Sequence, residues 1–287
     1  MKEVWALIEG GIGNQLFTYT AAYSLAKANE ARLILDLEQY EKGYFRSYQL
    51  HRLNISFDDT LKRFPIPFNY IYRYKKYILK NRWLNESNAY TYEDIYSRKW
   101  DKRCYLEGYH CSEKYNIYPI DIRERFELKD PKDREKIHLF AEKVLGKCSV
   151  AVHIRRGDYV TGGCALGIDY YHAALDKMKE LQPECTYVFF SDDVDYVKGQ
   201  FDFSENDNFI FAKDLFDVKD DLVELFCIAA CDHQIIANST YSWWGAWLNT
   251  NKEKIIIAPM IDYLRGKDFY PEGWITLDAY MDNGKEK

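Results

Sequence analysis

Two adjacent arginines stand in the string His153-Ile-Arg-Arg-Gly-Asp158, directly after an apolar run suited to a buried strand. Guanidinium groups at a strand end are costly unless something anionic meets them, and their planar forks match phosphate oxygens at any working pH. A solvated pair, or an arginine bridged to Asp158, is the structural alternative; we read one arginine as pairing internally and the other as facing a ligand. Ser191-Asp-Asp193 follows the apolar run Thr186 to Phe190. Carboxylates so placed accept hydrogen bonds from ribose hydroxyls or a purine edge. Paired, they could hold Mg²⁺ or Mn²⁺ against a diphosphate, or Asp193 could cap the next helix. With arginines present to neutralise phosphate, the metal ranks second and no metal ligands are assigned. Asn238-Ser-Thr-Tyr-Ser242 offers hydroxyls where a helix begins, an anion site in which Ser239 could equally be an N-cap. Gly10-Gly-Ile-Gly-Asn-Gln15 lets backbone approach a ligand closely, but it matches neither the Walker loop nor the dinucleotide fingerprint. A tight strand-to-helix turn explains its glycines; Asn14 and Gln15 shift the balance modestly toward a ligand.

These strings need strands to end where they begin. Val4 to Ile8 reads as a buried strand, Asn14 to Asn29 carries apolar residues at helical spacing, and Arg32 to Asp36 reads as a second strand. Tyr105 to Tyr109 is a further candidate, and Asp130-Pro131 opens a helix stopped by Gly146. Strands are expected at Cys148–Ile154, Thr186–Phe190, Asn208–Phe211, His233–Ala237 and Lys254–Ala258. Helices are expected at Asp169–Leu181, Asp220–Ala230 and Ser242–Leu248. This alternation specifies an α/β fold with doubly wound parallel sheets, whose ligands sit at the carboxyl ends of the strands. A domain boundary is placed near Gly146, giving domains 1–146 and 147–287. Trp243 and Trp247 share a helical face and read as core rather than as sugar-stacking groups.

Composition narrows the class. The 287 residues, 47% hydrophobic and 17% aromatic, suffice for one large or two modest domains. The 25 tyrosines suit sugars by their flat faces and hydroxyls, though most are expected to be half-buried packing. A net charge of −6 argues against a nucleic-acid binder. Seven cysteines, an odd number without metal-like spacing, imply reduced thiols and a cytoplasmic protein. No run reaches the ~20 apolar residues of a membrane span. The segment Lys62 to Trp83 interleaves cations with aromatic residues and contains no acid. A solvated helix with inward tyrosines explains it, peripheral contact with an anionic membrane is a second account, and an acceptor groove is a third.

Phosphate-binding arginines, phosphate-binding hydroxyls and a nucleoside carboxylate together describe a nucleoside-diphosphate pocket. The strings Gly10-Gly-Ile-Gly-Asn-Gln-Leu-Phe17, Val152-His-Ile-Arg-Arg-Gly-Asp-Tyr159, Phe189-Phe-Ser-Asp-Asp193 and Asn238-Ser-Thr-Tyr-Ser-Trp-Trp-Gly-Ala-Trp-Leu248, in that order, closely resemble glycosyltransferase family 11, the α-1,2-fucosyltransferases. The resemblance implies a GT-B-like fold of two Rossmann-like domains, with the acceptor side in 1–146 and the GDP-fucose site in 147–287. It implies GDP-β-L-fucose as donor, a galactose-terminated glycan as acceptor, inversion at the anomeric carbon, and no metal or other cofactor. It assigns Arg155, Asn14 and His153 to catalysis, and Arg156, Asp158, Asp192, Ser239, Ser242, Gly11 and Gly13 to the donor. Arg155 would meet the departing diphosphate, with His153 and Arg156 helping to form that pocket. Asp192 would hold the nucleoside, Asp158 would brace the arginine loop, and Asn14 would sit near fucose and acceptor. No general base is evident; Asp36 and Asp169 are the carboxylates to test. The chain departs from the family pattern at His110-Cys111, in the helix Leu225 to Cys231, and at Tyr241. The first departure bears on acceptor preference. Rival readings are another fucosyl linkage and a catalytically silent nucleotide-sugar or glycan binder.

Overall fold

The computed structural model describes residues 1–61, 83–144, 148–201, 208–215 and 220–282. The chain divides into two compact units, Met1–Lys129 with Gly266–Pro271, and Asp130–Arg265 with Glu272–Lys287. Each is built on a parallel sheet, as the alternating pattern requires.

In the first unit the strands are β1 (Glu3–Leu7), β2 (Arg32–Asp36), β3 (Asp59–Leu61), β4 (Trp83–Asn85) and β5 (Arg103–Glu107), in the order β3-β2-β1-β5-β4. The apolar run of β1 lies between β2 and β5, paired parallel to both. Helix α1 (Ile12–Ala28) follows β1; the unit also has short helices α2 (Glu38–Glu41) and α3 (Pro119–Arg125) and 3-10 turns at Leu50–Arg52 and Glu113–Tyr115. From Ile12 to Ala26 every residue of α1 is buried except Asn14. A helix buried on all sides, here with Gln15, Thr18, Thr20 and Ser24 among its buried residues, is enclosed by its neighbours, so the partial exposure of a single amide at its first turn marks that amide. The late segment Gly266–Pro271 belongs to this unit: Asp268 accepts a hydrogen bond from Tyr92 N (2.9 Å) and pairs with Lys114, and Phe269 packs on Phe17 (6.4 Å) and Tyr90 (5.1 Å).

The second unit contains α4 (Pro131–Val144), β6 (Ser149–Ile154), α5 (Gly157–Thr161), α6 (Ile168–Leu181), β7 (Thr186–Ser191), α7 (Val194–Gln200), β8 (Phe209–Phe211), α8 (Ala212–Leu215), α9 (Asp221–Ala230), β9 (His233–Ile235), α10 (Thr240–Leu248), β10 (Ile256–Met260) and β11 (Ile275–Asp278). Its sheet runs β11-β10-β9-β6-β7-β8, with β6 and β7 buried along their whole length. The boundary lies earlier than the expected position near Gly146, which itself falls outside the described residues. The cause is α4: its Phe140 and Val144 enter one core with Val223, Cys227 and Ile228 of α9, so that helix belongs to the second unit. Trp243 and Trp247 stack at 6.3 Å and are buried, in agreement with their reading as core. Gly245 sits where α10 crosses α9; a Cβ there would meet Ile228 Cγ2 at 2.6 Å. Pro259 does not close β10, because β9 pairing stops at Ile235↔Ile257 and the missing N–H is not needed on that side.

The expectation of seven thiols is corrected. Cys148 and Cys185 form a disulfide, since they stand one residue before the paired Ser149 and Thr186 at the start of β6 and β7, with Cα atoms 4.4 Å apart. Among the described residues no helix is long and apolar enough to cross a membrane. The basic-aromatic segment lies outside the described residues except for Trp83 in β4.

Candidate active site

In the second unit the carboxyl ends of β7, β6 and β9 are neighbours, and three of the four strings emerge from them. The two arginines differ. Arg156 is 8% exposed; its Nη1 donates to Asp282 (2.9 Å), its guanidinium lies 3.6 Å from the Tyr196 ring centroid, and its backbone N–H donates to Asp192 (2.8 Å). It is the internally paired arginine. The Arg155 side chain is 23% exposed and bridges Asp158 and Asp192, each at 2.6 Å. Burial opposes its charge, but Asp192 and then Asp158 outweigh that and hold its proton more tightly than usual. Asp192 therefore joins both arginines through Arg155 Nη1 and the Arg156 N–H. Gly157 makes this possible, since a Cβ there would lie 2.6 Å from the Asp192 carboxylate. Asp193 caps α7 by accepting from Tyr196 N (3.1 Å).

His153 is buried and faces the Tyr241 ring at 5.3 Å. Burial, with the Arg155 charge beside it, pushes its imidazole down to about 3. This favours the neutral imidazole at physiological pH. Ser239 caps α10, accepting from Tyr241 N (3.3 Å). Ser242 is fully buried, and its hydroxyl donates to Ala237 O and Ser239 O, both at 3.3 Å. The structure thus brings together Arg155, Arg156, Asp158 and Asp192, sets Ser239 at the head of α10, and places His153 and Ser242 in the interior. Asp282, Tyr196 and Glu224 were not found from sequence. The first two are fixed only by tertiary contact. Glu224 accepts from Tyr241 Oη (3.4 Å), and that hydroxyl also donates to Asp221 O (2.7 Å), so the tyrosine's departure from the family pattern supplies a used donor. Burial, then Asp221, lifts the Glu224 carboxyl to about 7.

In the first unit, the glycine string turns from β1 into α1. Gly10 has φ +80°, and a Cβ there would strike Asn14 Nδ2 at 2.6 Å. The backbone thus occupies the left-handed region open to glycine. Gly11 is the N-cap position of α1, and Gly13 is buried in its first turn. Gln15 is wholly buried: Nε2 donates to Gly10 O (3.1 Å) and Ser47 O (2.8 Å), and Oε1 accepts from Gln49 N (2.9 Å). Asn14 is hydrogen-bonded to Tyr109. Of the base candidates, Asp36 is buried, accepting from Tyr105 Oη (2.8 Å) and Glu38 N (3.2 Å), and Asp169 is exposed on α6. His110 and Cys111 are both buried, so any effect on acceptor preference is indirect. Glu9, a carboxylate not singled out from the sequence, lies two residues beyond the end of β1; burial raises its pKa above the usual range.

The profile of glycosyl transferase family 11 matches residues 3–278. The chain belongs to this family. The O-antigen biosynthesis glycosyltransferase WbnK of Escherichia coli is 27% identical over 97% of this chain and 99% of its own length. The Escherichia coli α-1,2-colitosyltransferase is 30% identical over 97% of this chain and 100% of its own. The mouse galactoside 2-α-L-fucosyltransferase Sec1 is 26% identical over 95% of this chain and 73% of its own. Among solved structures, NodZ α-1,6-fucosyltransferase soaked with GDP-fucose superposes with a TM-score of 0.53 at 16% identity, covering 86% of this chain and 92% of that one. An Arabidopsis thaliana FUT1 variant in complex with GDP gives 0.51 at 12% identity, covering 89% and 70%. The fold of this family 11 glycosyltransferase is GT-B-like, as the resemblance implied.

Proposed function

We propose that this family 11 glycosyltransferase moves L-fucose from GDP-β-L-fucose to the 2-hydroxyl of a galactoside, with inversion to the α-linkage. The observation that carries the reading is the Arg155 guanidinium, half-buried at the carboxyl end of β6 and held by two solvent-accessible carboxylates, Asp158 and Asp192, whose side chains are 46% and 28% exposed. Exposed ion pairs contribute little, about 0–1 kcal/mol. A diphosphate can therefore take Asp158's place on Arg155, while Asp192 and the buried Arg156 keep the loop in position. As the bond between C1 and the β-phosphate oxygen breaks, the electron pair leaves with GDP. A fixed guanidinium facing that charge stabilises the transition state more than the ground state. The acceptor oxygen closes on C1 from the opposite face, and its proton is released. His153 contributes as a neutral group behind Arg155.

With arginine as the counter-charge, no metal is required, and Asp193 serves the helix cap. EDTA is expected to leave turnover largely intact; loss restored by Mn²⁺ or Mg²⁺ would return Asp192 and Asp193 to a metal. A second reading, colitosyl transfer, is favoured by the 30% identity to the colitosyltransferase. Colitose is L-fucose lacking one ring hydroxyl. A site built to hydrogen-bond that hydroxyl rejects the analogue by about 10⁴–10⁵ in kcat/KM, and a site that ignores it does not. Comparing GDP release from the two donors with a galactoside present decides between them.

A further inference from the structure

Three segments leave the carboxyl ends of neighbouring strands in the first unit: residues 8–11 after β1, residues 37–49 (with the short α2) after β2, and Gly108–Tyr109 after β5. They are tied into one face. Tyr40 Oη donates to Gly10 O (2.8 Å), and Gln15 fastens Ser47 and Gln49 to the glycine turn. On this frame Tyr40 meets Tyr44 edge-on at 5.6 Å and Tyr48 at 5.8 Å, and Tyr44 meets Phe45 at 4.6 Å. Tyr109 is hydrogen-bonded to Asn14 and lies in the electrostatic reach of Glu9 and Tyr44. Phe45 is 78% exposed. Glu9 is half-buried, and no hydrogen bond or ion pair to it is found among the described residues. Phe45, with the Arg46 guanidinium 5.4 Å from its ring centroid, and Tyr44 thus stand on a loop fixed by a buried glutamine, and Tyr40 and Tyr109 each lie within the electrostatic reach of both Tyr44 and Glu9. The match is a sugar ring, with an apolar C–H face for the aromatic side chains and a rim of hydroxyls for a carboxylate and an amide.

We propose that Tyr44 and Phe45, with Glu9 and Asn14, seat a neutral hexose ring of the acceptor glycan, the aromatic faces stacking on it and Glu9 accepting from one of its hydroxyls. This rests on the transfer reading given above for what the bound glycan is used for, but binding itself can be measured without donor. Saturation-transfer NMR with lactose, irradiating protein aromatic protons, should saturate the C–H protons of one sugar face. That signal should fall in Phe45→Ala and Tyr44→Ala and persist in Phe45→Trp. In transfer assays Phe45→Ala should raise the acceptor KM about tenfold, the loss of one stacking contact, while donor KM moves little. Glu9→Gln should raise acceptor KM. Saturation that reaches no sugar proton, or that is unchanged in both alanine variants, overturns the proposal. Glycan binding through Phe45 without any turnover of GDP-fucose would leave this seat standing and refute the transfer reading instead.

Discussion

At the residue scale the two arginines divide the labour that adjacency in sequence conceals. Arg156 anchors the loop through Asp282, Tyr196 and Asp192, whereas Arg155 meets the Tyr159 ring at 5.7 Å and two carboxylates that water also reaches. Removing Arg155 should therefore cost chemistry rather than folding. Arg155→Ala is expected to lower kcat at least about 100-fold, since one donor to a developing charge contributes about 3 kcal/mol. Steady-state kinetics on a variant with unchanged circular dichroism checks this, and near-normal kcat would remove the leaving-group role. That one arginine would pair internally was legible from the cost of two buried cations at a strand end. Which one was not, because Asp282 and Tyr196 are distant in sequence. Ser242 and His153 show the opposite limit: polar residue types in a ligand-facing string, yet both turned inward.

At the scale of elements, periodicity carried the interior strands and long helices to within a few residues. It missed β3, β4 and β11, edge strands of three or four residues whose pairing, rather than pattern, makes them strands. Helix α9 also carries a charge that pattern alone does not mark. Burial, then Asp221, raises Glu224 from 4.5 to about 7, so between those values the folded state keeps a proton that the unfolded chain has released. Stability from this group is accordingly full below about pH 4.5 and falls as pH rises toward 7. Glu224→Gln abolishes that loss. Urea unfolding at pH 5 and pH 8 should show the variant gaining about 2 kcal/mol on the parent across the interval. An unchanged gap would mean that the carboxylate ionises without penalty.

At the scale of the whole molecule, two α/β units were legible from alternating strands and helices, but their boundary was not. Gly146 stops a helix, which is a local event; the assignment of α4 depends on Phe140 and Val144 meeting α9. Nor could the return of residues 266–271 to the first unit be read, since it rests on Phe269 meeting Phe17 and Tyr90. Phe269→Ala should consequently destabilise the first unit, far from it in sequence, by about 3–5 kcal/mol. Hydrogen exchange is the measure: protection should fall in α1 and β1, and a loss confined to the second unit would contradict the placement. The disulfide escaped for the same reason, as only strand register brings Cys148 to Cys185. The central claim, transfer of fucose to a galactoside 2-hydroxyl with inversion, is tested most directly by the product. After incubation with GDP-fucose and a β-galactoside, NMR should show a new fucose with an α-anomeric proton correlated across the glycosidic bond to galactose C2. A β-anomer, attachment at another hydroxyl, or GDP released with no new glycoside would contradict it.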